Sequence, residues 1–354
     1  MSLPPSEIPQ GAIRFNTDSQ KLEFYAQDQW WEMVIDTPNL AVGSNTDAGA
    51  RGLFAGGLNP SPSANTNVIE YINISSTGDT VDFGDLTQAR RLLSSCSSAT
   101  RGVFAGGYTS PPTGTVNTID YITISSTGNA TSFGSLFQRR YGPSACSNST
   151  RGIFSGGISP SVPAPSASNV IDYITIASTG DAQDFGDTTV ARWYNSSSSS
   201  STRGIIAGGV TPAASNVIDY VTISTLGYAF DFGDLTQARY GLSSCSNPIR
   251  SLFAGGQNPS SYFSAIDYIT ISTLGNAVNF GSLTVTRGYL ASCSSSTRGV
   301  FGGGYTNSPA ATVFNTIDYV TILTQGNAVD FGDLAVSPSI KTSIAACSNA
   351  HGGL

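Results

Sequence analysis

Short runs rich in Val, Ile, Tyr, Phe and Thr follow one another along nearly the whole chain, each cut off by Gly, Asn, Ser or Pro. No stretch carries the three-and-four spacing of an amphipathic helix, so the pattern predicts strands. Between residues 92 and 136 the runs are Leu92 to Ser97, Gly102 to Gly107, Ile119 to Ser125 and Ala130 to Leu136. This four-run unit recurs six times with a period of about fifty residues. Each copy opens with Arg, Gly, two apolar residues, a small residue and Gly-Gly, starting at Arg51, Arg101, Arg151, Arg203, Arg250 and Arg298, with Ser251 in place of the first Gly in copy five. An Ile-acid-Tyr triplet follows at Ile69-Glu70-Tyr71, Ile119-Asp120-Tyr121, Ile171-Asp172-Tyr173, Ile218-Asp219-Tyr220, Ile266-Asp267-Tyr268 and Ile317-Asp318-Tyr319. A Phe-Gly pair closes each copy at Phe83, Phe133, Phe185, Phe232, Phe280 and Phe331. Repeats of this period with four antiparallel strands each predict propeller blades.

The double Gly, the Tyr, the Phe and the Arg leading into the next copy together resemble kelch repeats over most of the chain, with Phe where kelch blades usually carry Trp. The expected fold is all-β: a six-bladed kelch-like β-propeller over residues 39–354, preceded by a small N-terminal β-meander within residues 1–38. The first run of each copy carries Cys at one place (Cys96, Cys146, Cys245, Cys293), with Ser198 in the fourth copy. A further such run, Ser343 to Asn349 with Cys347, has no copy after it. It is expected to complete blade one and close the ring, hiding edges that an open array would expose. Leu40 to Asn45, which lacks the Cys, competes for that place.

Within the meander, the runs Ala12 to Phe15, Leu22 to Tyr25 and Trp30 to Val34 carry Phe15, Phe24, Tyr25, Trp30 and Trp31. So small a sheet cannot bury enough apolar surface alone, and these aromatics are expected to dock on another surface. The segment GAIRFNTDSQKLEFYAQDQWWEM resembles a module of tail-fibre and other virion proteins of tailed bacteriophages. IDYVTI, GNAVDFGDL and CSNAHGGL resemble structural proteins of phages that infect marine bacteria. The resemblance implies a phage virion structural protein, present in multiple copies or as a homo-oligomer, contacting other virion proteins and a host surface glycan or protein. A cellular kelch-type interaction scaffold and a carbohydrate-active enzyme are the alternatives.

Charge narrows the partners. Only 11% of residues are charged and the net charge is −7, which lacks the basic stripe a nucleic acid requires. The N-terminus has neither the basic start nor the apolar core of a signal peptide, and no run approaches a membrane span. The expected location is the virion, assembled in the host cytoplasm. Nearly every Arg occupies a repeat position, either the six named above or the group Arg90, Arg91, Arg139, Arg140, Arg192, Arg239 and Arg287, so structural contacts to carboxylates or carbonyls are expected. The five Cys share one repeat position, so they read as small buried hydrophobes rather than disulfide partners.

Catalytic chemistry is scarce. The single His, His351, lies near the end of the chain, and the Cys have no paired ligand spacing. Carboxylate pairs flank the Phe-Gly turns (Asp82 with Asp85, Asp184 with Asp187, Asp231 with Asp234, Asp330 with Asp333), yet a catalytic pair should break the repeat rather than follow it. Turn residues Asp79, Asn129, Asp181, Asn276 and Asn327 could ligate calcium, but such turns form without metal. Asn195 to Ser201 reads as blade rather than linker. The expectation is therefore no enzyme, no metal and no cofactor.

Strand parity places the loops between second and third strands on one face, together with the links between blades. Those loops, Leu58 to Thr66, Tyr108 to Val116, Ile158 to Ser168, Val210 to Ser215, Gln257 to Phe263 and Tyr305 to Phe314, vary in length and composition. Variable loops on a rigid frame are where recognition is expected, here through Tyr108, Tyr262, Phe263, Tyr305 and Phe314.

Overall fold

A computed structural model of the protein describes residues 9, 11–16, 21–26, 29–32, 50–61, 63–111, 114–160 and 166–354. The chain divides into two compact units, Met1–Ala48 and Gly49–Leu354. The boundary expected at 38/39, like the competing run 40–45, lies outside the described residues.

The smaller unit contains a three-stranded antiparallel meander, Ile13–Asn16, Lys21–Ala26 and Gln29–Glu32. Tyr25 is buried with its ring edge-on to Trp30 at 5.3 Å. Arg14 covers the Trp30 ring at 4.1 Å and pairs with Glu23 at 2.8 Å. Phe15 and Ile13 remain exposed. Phe24 and Trp31 are register partners on adjacent strands.

The larger unit is a six-bladed β-propeller, each blade a four-stranded antiparallel sheet. Blade two shows the pattern: Ser94–Ser97, Arg101–Ala105, Thr118–Thr123 and Thr131–Ser135, from the axis outward. Blade one takes its innermost strand, Ala345–Ser348, from the far end of the chain, paired with Arg51–Ala55 through Cys347↔Leu53 and Ala346↔Phe54. The ring closes as the repeat predicts. The serine-rich run also proves to be blade, with Ser196–Ser199 as the innermost strand of blade four.

The Phe-Gly pair has a clear structural cause. In every blade the pairing of third and outermost strands slips at the Ile-acid step. In blade two, Ile119 faces Gly134 and Asp120 faces Ser132, so Phe133 is the extra residue of a β-bulge. Its ring turns into the core, edge-on to Tyr121 at 5.8 Å. The following Gly lets the next blade approach: a Cβ on Gly134 would lie 2.2 Å from the carbonyl oxygen of Gly180. The same clash would arise at Gly84, Gly186, Gly233, Gly281 and Gly332, each against the adjoining blade's turn.

The core consists of six apolar slabs. One of them joins Leu53, Phe83 and Leu86 of blade one to Phe104, Ile122 and Ile124 of blade two. The five Cys are reduced and buried at the same interfaces. A Cβ on Gly152 would sit 2.5 Å from Cys96 Sγ, so thiol and glycine fit as a pair. The two departures from this repeat match each other. Ser198 replaces the Cys, Ser251 replaces the Gly it would meet, and their hydroxyls hydrogen-bond.

The two Arg groups do different work. Arg51 reaches across to the Ile124 carbonyl at 2.8 Å and lies 4.4 Å over the Tyr71 ring. Arg101, Arg151, Arg203, Arg250 and Arg298 likewise bond a carbonyl of the next blade and cover the Tyr of their own. Five of the second group are buried and pair within their blades, Arg90 with Asp120, Arg140 with Asp172, Arg192 with Asp219, Arg239 with Asp267 and Arg287 with Asp318, at 2.7–3.0 Å, whereas Arg91 is half-buried and Arg139 exposed. Each of the five also donates to backbone carbonyls, as Arg90 does to Thr118 at 2.9 Å. Blade one substitutes Lys341 and Glu70, and Thr80 adds a hydroxyl to the same carboxylate.

Candidate functional site

Six strands starting at one face and running along the axis leave a narrow channel, whose two ends are each closed by hydrogen bonds. At the loop face, Leu92, Gly142, Tyr194, Gly241, Tyr289 and Ser343 each precede an innermost strand, and all six have φ between 54° and 64°. This left-handed conformation turns the N–H and C=O tangentially. Each N–H donates to the carbonyl of the preceding blade: Gly142 to Leu92 at 2.8 Å, Tyr194 to Gly142 at 3.0 Å, Gly241 to Tyr194 at 2.9 Å, Tyr289 to Gly241 at 2.7 Å, Ser343 to Tyr289 at 2.9 Å and Leu92 to Ser343 at 2.9 Å. The circuit is complete. A side chain in this conformation costs about 1–2 kcal/mol, so four of the six positions retain strain that Gly would relieve.

At the opposite end, hydroxyls make a second closed circuit. Ser97, Ser147, Ser199, Ser246, Ser294 and Ser348 each donate to a carbonyl one blade back, at 2.6–2.8 Å. The Ser that follows the repeat's Cys is thereby explained. His351 lies against this ring, with Nε2 3.0 Å from the Ser97 carbonyl and 3.3 Å from Ser147 Oγ. Burial lowers its pKa, the contact to Ser97 opposing, so the imidazole is neutral near pH 7. Gly352 donates to the Ser246 carbonyl at 2.9 Å, and a Cβ on Gly353 would collide with the Ser147 carbonyl. The sole His thus belongs to a plug packed against the ring.

The cavities along the axis hold about 80 Å³ at the mouth, about 120 Å³ further in and about 50 Å³ beside His351. Pockets that enclose a drug-sized ligand measure about 300–1,000 Å³, so none of these axial cavities is large enough to enclose one. No group of three His, Cys, Asp or Glu is placed to hold a metal among the described residues. The turn residues considered for calcium instead cap backbone groups of the preceding blade. Asn129 accepts from Asp85 N–H at 3.0 Å, Asp181 from Ser135 at 2.9 Å, Asn276 from Asp234 at 3.0 Å, Asn327 from Ser282 at 3.1 Å and Asp79 from Asp333 at 2.9 Å.

The loop face is different in character. Each variable loop begins beside the link that enters its own blade's innermost strand, through the bridges Leu58↔Thr342, Arg91↔Tyr108, Tyr141↔Ile158, Trp193↔Val210, Tyr240↔Gln257 and Gly288↔Tyr305. This brings link and loop aromatics together. Tyr108 meets Tyr141 edge-on at 5.8 Å and lies 5.1 Å beneath Arg91, while Tyr262 meets Tyr305 at 5.8 Å. Tyr194 meets Tyr289 edge-on at 5.3 Å and stacks with Tyr240 at 6.4 Å. Phe263 and Phe314 are half-buried and return their loops to the frame through N–H bonds to Gly256 and Gly304.

Sequence reasoning named the loop aromatics but missed Tyr141, Tyr194, Tyr240 and Tyr289, which lie on the links. The signal was present: an aromatic lies within two residues of the buried Arg in four of the six links. Burial pushes the Tyr194 and Tyr262 phenols up to about 12 and raises Tyr289 as well. All three keep their protons and can donate hydrogen bonds at neutral pH.

Comparison with protein-family models gave no match, and a search of curated proteins gave none either. The fold defines the class, a β-propeller.

Proposed function

We propose that this chain is a non-enzymatic structural component of a tailed-phage particle, tail-associated, that binds the host surface through its variable-loop face. Its N-terminal meander joins it to other virion proteins, with Phe15 exposed for that contact and Phe24, Tyr25, Trp30 and Trp31 on the adjoining strands. One observation carries the reading: the groups that repeat around the ring are engaged in blade contacts, whereas Tyr108, Tyr141, Tyr194, Tyr240, Tyr262, Tyr289 and Tyr305, which vary from blade to blade, cluster on the loop face. A scaffold conserved in its frame and variable at its loops is suited to recognition rather than to one fixed reaction.

The test has two arms. Antibody labelling of purified particles locates the chain, and the purified protein is added in competition with phage adsorption. Labelling at the tail together with blocked adsorption supports the proposal. A chain absent from particles but recovered with cellular proteins would replace it by the interaction-scaffold reading.

A further inference from the structure

At the axial mouth the backbone repeats around the ring while the side chains do not. Six residues share one backbone conformation there, yet their side chains run Leu92, Gly142, Tyr194, Gly241, Tyr289, Ser343. Glycine would adopt that conformation without strain, and two blades use it. Two others hold tyrosine instead, each with its ring beside the glycine of the preceding blade. A Cβ on Gly142 would lie 2.7 Å from the Tyr194 ring, and one on Gly241 would lie 3.3 Å from the Tyr289 ring. Tyrosine and glycine therefore alternate as a fitted arrangement, and retained strain of this kind gathers at functional sites.

We propose that this tyrosine crown is a binding site for a neutral carbohydrate, with pyranose faces stacked on Tyr194 and Tyr289 and sugar hydroxyls bonded by the surrounding phenols. The proposal rests on reading the loop face as a recognition surface and specifies what that face recognises. Tyr194, Tyr240 and Tyr289 are half-buried, so each presents part of its ring. Buried Gln257 donates Nε2 to Tyr289 Oη at 3.1 Å and fixes that phenol. Tyr262 and Tyr305 extend the aromatic surface outward.

The chemistry selects among ligands. Apolar ring faces edged by hydroxyl donors and acceptors complement a pyranose, which has C–H faces and a hydroxyl rim. Among the described residues, Arg91 is the one charged side chain in the aromatic contacts of this face, so an acidic ligand has little to neutralise it. Net charge −7 disfavours a nucleic acid. A peptide adding as a strand needs free backbone edges, whereas the starts of these loops are bridged to the links.

The decisive variant is Y194G/Y289G. It removes both rings while keeping a residue that the same position already holds in two blades, so the backbone circuit survives. Parent and variant are screened against an array of defined neutral and acidic oligosaccharides, and the best neutral ligand is titrated by calorimetry. The expected result is neutral-glycan binding by the parent and a loss of about ten- to a hundredfold in the variant, at unchanged melting temperature. Y194F/Y289F keeps the faces and loses the hydroxyls, and should fall between the two. Failure to bind any neutral oligosaccharide at millimolar concentration, binding of acidic ones alone, or equal affinity in Y194G/Y289G overturns the proposal. Adsorption of the purified chain to host cells is measured in parallel. Adsorption without neutral-glycan binding leaves the attachment reading standing and removes the carbohydrate site. Glycan binding lost in Y194G/Y289G, without adsorption, does the reverse.

Discussion

Lys341→Ala removes the only cation from the pair that completes blade one. Glu70 Oε1 bonds Lys341, while Oε2 receives the Thr80 hydroxyl and, at 3.3 Å, the Val336 N–H. Glu70 is 0% exposed and Lys341 2%, so the carboxylate is left without a counter-charge and away from bulk solvent. Breaking a buried pair by deleting one partner costs about 3–5 kcal/mol, a large share of the roughly 5–15 kcal/mol that holds a domain folded. The double variant E70Q/K341M removes both charges and keeps their volume, and should return to within about 1 kcal/mol of the parent. Position supplies the second half of the prediction. Lys341 leads into the closing strand, Ala345–Ser348, whereas Arg239, buried against Asp267, leads into a strand continuous with its own blade. K341A and R239A should therefore lose similar stability in denaturant, but only K341A should speed hydrogen exchange at Ala345–Ser348. A K341A midpoint within about 1 kcal/mol of the parent, or unchanged exchange in that strand, would refute the reasoning.

Gly134→Ala should cost about 2–3 kcal/mol in a denaturant melt, because its Cβ would fall 2.2 Å from the Gly180 carbonyl. Gly180→Ala, with nothing within 4 Å of its Cβ, should stay within about 0.5 kcal/mol, and equal losses would mean the interblade contact is not close. Tyr228 stands where five blades carry Asp or Asn, so Tyr228→Asn should give Asp187 N–H the missing cap and add about 0.5–1 kcal/mol, read in the same melt. All five thiols should resist a thiol reagent at about pH 8 until the protein unfolds, since burial pushes Cys146 and Cys347 up to about 12 and raises the others. Rapid labelling of native protein would show an opening at the innermost strands.

Much of the frame was readable because packing at blade interfaces forces residue types to repeat. The Phe-Gly bulge, the Cys–Gly contact and the Arg–Asp pair each need a particular size or charge, and each left a fixed mark at a fixed interval. The orphan run around Cys347 was legible for the same reason. The ring at the mouth left no such mark. It is made of backbone groups, so Leu92, Gly142, Tyr194, Gly241, Tyr289 and Ser343 serve it equally and look unrelated. The link tyrosines were hidden by their neighbours in sequence, since strand parity drew the eye to the loops while the bridges between link and loop put both in one cluster. His351 stands alone in the sequence, and only the fold brings it beside Ser97 and Ser147.

Both hydrogen-bond circuits run in one sense, every blade donating to the one before it. A circuit with a single kind of junction contains no instruction about how many members it should have. Copying or deleting one whole repeat unit from the gene would leave each junction with its donor and acceptor, so ring size rests on the wedge angle of the blades instead. Lineages carrying such a frame can therefore lengthen or shorten it by recombination between repeats, and gain or lose one loop of the recognition face with every event.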